Sequence, residues 1–507
     1  MAQKTVGKSA GWGGPVEEYT RNKGSVGKKK VVFVGASYKF VHRVVRDMLL
    51  VGGFNECEIV IHDIDEAPLK LVGDLVERMA RQRNTKIAVT RTLDRRAALQ
   101  GADAVLLSIT TGGQEADFRA FECCARYGIP VGIGDTMGPA ALARNLREIP
   151  VVVEIVRHME KLCPKAALLN FTNPMSCITG AAARYSSIPT YGLCHSGDAL
   201  RGYFAEIFGV RKGHVEMEIG GVNHQAFVTK LWINGKDRTH DLLDASLKSR
   251  AKIADTLMGT AEEVDLQRDV YRVLHAWPSC GGNHLAEFYN WFFTPRRVGM
   301  LGDHALKRVI PGRQPFGRRE PHPILHEWAY GPEPVGDMHL LTNEHAHELM
   351  WAHFTGEPYT RVLNVLNGAC SVVPRSACPT VRDGSAPHST VGRADRGTRL
   401  GRPATQSEKV CIQGLPRDAC VEIIATVKGR KLAAKPITLP PAVHSLVQRW
   451  VTIHELSIQA AMRCDRDAAH QALFLDPHVQ DLYDIPALLD DFLRYLAPWL
   501  PRGWGTR

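Results

Sequence analysis

The chain has 507 residues, 44% hydrophobic and 23% charged, a content that suits two or three packed domains and excludes a largely disordered polymer. Its 63 Lys and Arg against 53 Asp and Glu leave a formal charge of +10, but basic and acidic residues are interspersed except at Lys28-Lys29-Lys30 and across 375–404. The charge therefore reads as solvated surface rather than a nucleic-acid face. The 12 Cys lack regular spacing and include the adjacent pair Cys123-Cys124, which argues against a secreted disulfide framework, and no apolar run reaches the roughly 18 residues of a membrane span.

Residues 1–29 are rich in Gly and Lys without an apolar core, so a mobile basic leader is expected rather than a signal peptide, in a cytoplasmic protein. Order is predicted from Lys30, where KKVVFVGASYKF gives a β-branched run stopped by Gly35, and Val41 to Leu50 follows at helical spacing. A second strand, Glu58 to His62, stops at Asp63, and Glu66 to Arg83 reads as a charged amphipathic helix. Further buried strands are expected at Ile87–Thr90, Ala104–Ile109, Pro130–Ile133 and Ala166–Asn170, with a long helix over Ala140–Leu162. Strands alternating with helices predict an α/β fold built on a doubly wound parallel sheet. Ligands of such sheets bind beyond the carboxyl ends of the strands, where Gly35, Asp63, Thr110-Thr111-Gly112, Asp135 and Asn173 fall.

The first turn keeps only one glycine of the dinucleotide fingerprint, Gly35, with Ser37, Tyr38, Lys39 and Phe40 completing it. Asp63 would accept hydrogen bonds from the ribose hydroxyls of an adenosine and repel a 2′-phosphate, which favours NAD over NADP. Taken alone, the same residues also suit a bare strand-to-helix turn and a helix-capping aspartate.

The segments VGASYKF, IHDID, SITTGG, GIGDTMGPAALARN, LNFTNPMS, GLCHS and GVNHQAF occur in that order over about 31–235. Together they resemble glycoside hydrolase family 4, the NAD- and manganese-dependent glycosidases. LPRDACVEI (415–423) and the segment 439–479 are similar to that family's closing helices. The resemblance implies a lactate/malate dehydrogenase-like architecture, with a Rossmann-type NAD domain over 30–222 and a mixed α/β, largely helical substrate and metal domain over 223–507. It also implies chemistry unlike the paired-carboxylate hydrolysis of most glycosidases: oxidation at carbon 3 of the sugar, loss of the carbon-2 proton, departure of the glycosidic oxygen, addition of water and return of the hydride.

Residue by residue, Cys194 and His224 match the family's metal ligands, Asn173 its sugar-binding amide, and Asn223 a neighbour that orients His224 or meets substrate. Asp135 stands where relatives place a carboxylate near the sugar. Thr110, Thr111 and Gly112 join the first turn and Asp63 in facing the cofactor. A lone Cys or His in an apolar run is ordinarily packed core; the ordered surroundings of these two favour a metal, and one thiolate with one imidazole leaves positions for substrate oxygens. His195, in CHS, is similar to the branch acting on unphosphorylated α-galactosides and uronides, and an imidazole there could protonate a leaving oxygen. Relatives take the carbon-2 base from a segment like 276–292, often as a tyrosine; here His284, Tyr289 and Tyr271 are the candidates, with Gly282-Asn283 where an Asp is common, and HLAEFYNWFF also reads as a plain amphipathic helix.

Residues 368–410, rich in Arg, Ser, Gly and Pro, read as an exposed or disordered insertion. Arg91, Arg95 and Arg296-Arg297 are candidates for meeting an acidic sugar. The expected partner is a small carbohydrate, in a homodimer or homotetramer. The competing readings are a hydroxy-acid or polyol dehydrogenase that releases reduced cofactor, and a catalytically silent binding protein.

Overall fold

The computed structural model describes residues 24–131, 134–249, 261–292, 321–342, 344–369, 371–372 and 410–504. The first half alternates strand and helix: β1 (Lys30–Val34), α1 (Val41–Val51), β2 (Glu58–His62), α2 (Glu66–Gln82), β3 (Ala88–Thr92), α3 (Arg95–Leu99), β4 (Ala104–Leu107), α4 (Gly113–Arg126), α5 (Pro139–Leu162), β5 (Ala167–Asn170), α6 (Met175–Arg184), β6 (Thr190–Gly192) and α7 (Ser196–Ile207). β1, β4 and β5 are short runs of apolar residues buried on both faces, as a parallel sheet covered by helices requires. Six strands pair in parallel in the order β6-β5-β4-β1-β2-β3. The chain winds one way from β1 to β3 and the other way from β4 to β6. The reversal between β1 and β4 opens the crevice in which such sheets bind ligands.

The register sets the rim of that crevice. Val34 lies level with His62 and Leu107, Leu107 with Asn170, and Asn170 with Gly192. The segments following β1, β2, β4, β5 and β6 therefore leave the sheet at one height, side by side. Of Pro130–Ile133, expected as a strand, Pro130 and Val131 are irregular, and residues 132–133 lie outside the described set. β4 pairs directly with β5, so no place is left between them.

The second half extends the same sheet with antiparallel strands. β7 (Val215–Val222) and β8 (Gln225–Ile233) form a hairpin, joined at the edge by β9 (Lys236–Asp237) and by β10 (Trp277–Pro278). β11 (Tyr359–Leu366) runs antiparallel to β6 at Asn364, and β13 (Cys420–Lys428) lies between β11 and β7. β12 (Ser371–Val372) and β14 (Lys431–Ala434) close this region. Among the described residues one sheet thus crosses from the 30–222 segment into the 223–507 segment. Helix Pro441–Arg463 packs its buried face, including Val447, Trp450 and Ile458, beside α5 and α6. The basic leader is not wholly apart, since Val26 N donates to Gly53 O at 2.9 Å and its side chain packs on the core; residues 1–23 lie outside the described set. Of the segment 368–410, Ser371 and Val372 pair with β14, and residues 373–409 lie outside the described residues.

Candidate active site

The first turn is held by backbone chemistry. Gly35 has φ +101°, and a Cβ there would stand 2.0 Å from the Ser108 carbonyl oxygen, so only glycine allows β1 to turn this close to the end of β4. Asp63 Oδ2 accepts from Ala36 N at 2.6 Å and Oδ1 from Ile64 N at 2.7 Å. The carboxylate is thereby fixed at the turn, with lone pairs to spare for a ligand. Ser37 Oγ accepts from Lys39 N and Phe40 N at 3.2 and 3.4 Å, and Phe40 stacks on Phe171 with ring centroids 4.8 Å apart. Tyr38 is partly buried against the core, whereas Lys39 is exposed. No side chain caps the N-terminus of α1, whose first amides therefore suit an anionic group such as a pyrophosphate.

Across the crevice, the loop after β4 is clasped from below. Glu148, fully buried on α5, accepts from Thr111 N and Thr111 Oγ1, both at 2.7 Å. Gly112, φ +79°, packs so close to Trp499 that a Cβ would lie 2.7 Å from the indole. The turn after β5 is fixed in turn: Thr172 N donates to Asn170 Oδ1 at 2.8 Å, and Ile109 N to Thr172 Oγ1 at 3.0 Å. This places Asn173, whose Nδ2 donates to Asp135 Oδ2 at 3.2 Å while its buried Oδ1 has no hydrogen-bond partner among the described residues.

Cys194 and His224, 30 positions apart in sequence, meet here. Cys194 leaves β6 just ahead of α7; His224 sits in the β7–β8 hairpin turn with φ +61°. Cys194 Sγ lies 3.2 Å from His224 Nε2 and 3.1 Å from Ser196 Oγ. Burial, with the nearby Glu422 carboxylate, pushes the thiol up to about 12, against contacts from Ser196 and Asn223 that favour the thiolate. No group of three or more His, Cys, Asp or Glu placed to hold a metal occurs among the described residues, so the protein would supply two donors. The 3.2 Å approach of Cys194 Sγ to His224 Nε2 sets one thiol and one imidazole donor side by side, a donor set that divalent transition metals accept. The pair fits such an ion. A cation would also supply the positive charge that a buried thiolate beside Glu422 lacks.

His284, on α10 (Gly282–Phe288), joins this group, its ring centroid 4.0 Å from that of His224. Burial and the His224 ring hold His284 below its ordinary range, although Asp135 opposes them, so it is neutral near pH 7. Burial alone would raise Asp135, but Arg144 and hydrogen bonds from Asn173 and Thr136 outweigh it and keep the carboxylate ionised. Cys194, His224, Asn173, Asp135 and His284 are thus brought together at the rim. His195 stands at the start of α7, exposed, directly after the cysteine.

Five expected residues turn elsewhere. Tyr289 is 2% exposed, receives a hydrogen bond from Gln225 Nε2 and stacks on Trp291 at 3.8 Å; burial raises its phenol well above the ordinary range, which suits a packed tyrosine. Tyr271 donates to Thr239 O at 2.6 Å in the separate core cluster under the hairpin. Asn223 points inward, its Nδ2 donating to Glu422 Oε2 at 2.8 Å and its backbone N donating to Ser176 Oγ at 3.0 Å; it anchors the turn that carries His224. Arg91 pairs with Asp74 and Glu77 at 2.6 Å, and Arg95 with Glu154 at 2.5 Å, so both charges are already matched; Arg296-Arg297 lie outside the described residues.

Sequence reasoning missed the residues that support these groups. Thr136 lies between Asp135 and His224, and Arg144 and Glu148 on α5 hold the two loops. Fully buried Glu422 on β13 also accepts from Asn364 Nδ2 at 3.2 Å. A signal existed for α5, where Arg144, Arg147 and Glu148 share one face at i, i+3 and i+4 within an otherwise apolar run. None existed for Glu422, which reaches Asn223 from nearly two hundred residues away.

Comparison with known proteins agrees with this layout. The model of the family 4 glycosyl hydrolases matches residues 30–210, and that of the family 4 C-terminal domain matches 219–381 and 406–479. An α-galactosidase of Bacillus subtilis is 27% identical over 483 residues, spanning 93% of this chain and 99% of its own. An α-galacturonidase of Thermoanaerobacterium saccharolyticum is 27% identical over 438 residues, 80% of this chain and 82% of its own. Among solved structures, the 6-phospho-β-glucosidase of Thermotoga maritima with manganese, NAD+ and glucose-6-phosphate superposes with a TM-score of 0.69 at 19% identity, over 93% of this chain and 99% of that one.

Proposed function

Because the chain belongs to family 4 of the glycosyl hydrolases, and is thus a glycosidase of that family, we propose that it uses NAD and a divalent metal, preferably manganese, to hydrolyse unphosphorylated α-glycosides of galactose-like or uronic-acid sugars. The observation that carries the reading is the approach of Cys194 Sγ to His224 Nε2 at 3.2 Å, at the rim where the cofactor turn ends.

When bound, NAD would supply reversible hydride acceptance at carbon 3 and a cation would supply Lewis-acid stabilisation to the oxygens on carbons 2 and 3. The chain's own residues do the rest. Cys194 and His224 would hold the cation. Asp63 and the uncapped start of α1 would seat the ribose and the pyrophosphate, and Thr110, Thr111 and Gly112 would border the nicotinamide. Asn173 Oδ1, buried without a partner among the described residues, would accept from a sugar hydroxyl. His284, facing Asp135, would take the carbon-2 proton, and ionised Asp135 would stabilise the imidazolium so formed. His195, exposed beside Cys194, would donate to the departing glycosidic oxygen.

The test is to incubate the protein with NAD, manganese and a reductant, offer aryl α-galactoside, α-glucuronide and α-galacturonide in deuterated water, and follow deuterium at carbon 2. Incorporation with hydrolysis and no net NADH is expected. NADH accumulating in step with product would mean a dehydrogenase; hydrolysis without exchange would mean direct displacement; no turnover at all would mean a silent family member.

A further inference from the structure

We infer that Arg144 is a positioning residue that fixes the separation between the cofactor-facing loop after β4 and the sugar-facing turn after β5. The inference rests on the assignment of those two loops to NAD and sugar proposed above.

Arg144 is 7% exposed on the first turns of α5, and its three nitrogens are spent on three different segments. Nε donates to Asn173 O at 3.0 Å, Nη2 to Thr110 Oγ1 at 2.8 Å, and Nη1 to Asp117 Oδ2 at 3.0 Å. Asp117 is shared, its other oxygen accepting from Arg147 Nη2 at 2.8 Å, while Arg147 Nη1 donates to Thr111 O. The two guanidiniums thus face Asp117 and Glu148, with the Asp135 carboxylate also acting on Arg144, so neither positive charge is left unmatched. Apolar residues of the same volume would fill such a place at least as stably. What they would not supply is a planar fork of donors in fixed geometry. Because one rigid group bonds both Thr110 and Asn173, neither loop can drift without breaking a charged hydrogen bond in a low-dielectric interior. Hydride transfer needs its two carbons within about 3–3.5 Å, and a displacement of about 1 Å can cost on the order of 100-fold in rate. The guanidinium lies beneath both loops and reaches them through Thr110 Oγ1 and a main-chain carbonyl, so it acts through them.

The experiment compares the full chain with Arg144→Lys, which keeps the charge opposite Asp117 and Glu148 but cannot span both loops. NAD affinity is measured by titration calorimetry, and turnover of an aryl α-galactoside or α-galacturonide with and without deuterium at carbon 3. Expected are an NAD dissociation constant raised by about tenfold, kcat lowered by about 100-fold with KM for the sugar within about threefold, and a larger isotope effect as hydride transfer becomes limiting. A kcat within about threefold of the unaltered protein, or an unchanged isotope effect, overturns the inference. Should Arg144→Lys fail to fold, Asp117→Asn, which loosens the anchor of the guanidinium without touching either loop, must give the same isotope-effect change. Should the unaltered protein hydrolyse no glycoside, the functional proposal falls, and NAD affinity alone decides this one: an unchanged dissociation constant overturns it.

Discussion

The hydroxyl of Thr136 stands 3.4 Å from Nδ1 of His224 while donating to Asp135 Oδ1 at 2.9 Å. A hydroxyl has one proton to give, and the carboxylate takes it, so toward the imidazole the oxygen can only accept. His224 is therefore held with its proton on Nδ1 and the Nε2 lone pair facing Cys194. Thr136→Val removes that control. Manganese affinity, measured by calorimetry, should fall about 10–100-fold, and Thr136→Ser should restore most of it. Equal affinities in all three proteins would show that the tautomer is set by another group.

Cys194→Ser replaces a soft donor with a hydroxyl that does not ionise near neutral pH. Manganese binding and manganese-dependent hydrolysis should drop by at least about 100-fold, more than loss of a supporting hydrogen bond, with NAD affinity within about twofold because the cofactor turn is untouched. Unchanged hydrolysis would remove the metal from the reaction.

Gly35→Ala tests the first turn. The added methyl would meet the Ser108 carbonyl at 2.0 Å, and φ +101° is strained for any other residue. The change should destabilise by about 3 kcal/mol or more and leave no measurable NAD binding; a soluble variant of normal affinity would show that the turn can move.

Asp476 gives a pH signature away from Cys194 and His224. It is 3% exposed, and burial raises its carboxyl to about 7, opposed by the His478 amide and Arg449. Its folded pKa lies above the unfolded value, so the protonated form's contribution is complete below about pH 4 and is lost as the pH rises through 7. Asp476→Asn should therefore be more stable than the unaltered protein at pH 8, by about 1–3 kcal/mol, and lose that advantage by pH 5. The denaturant midpoint at the two pH values reads this directly; a pH-independent difference would mean the carboxylate is already ionised when buried.

The buried hydrophobic runs at β1, β4 and β5, and the helices between them, were legible because parallel strands covered on both faces leave continuous apolar stretches. Pro130 and Val131 were misread for the same reason: a short apolar run carries no sign of whether the sheet has room for it. Tyr289 and His284 sit five residues apart in one segment, and sequence offered both as the base. The tertiary structure turns the tyrosine, which follows the end of the helix Gly282–Phe288, onto Gln225 and Trp291, and the histidine within that helix onto His224.

By itself the sequence determined the alternation of strand and helix and the glycine at the first turn, since each is written in local side-chain chemistry; Cys194 and His224 stood out only through the resemblance of the motifs that hold them. Only the tertiary structure decided that Arg144 would bond Thr110 and Asn173, that Glu422 would anchor Asn223, and that Thr136 would face His224. Those contacts join segments brought together by strand register and helix packing, and no local pattern encodes where a neighbouring strand will end.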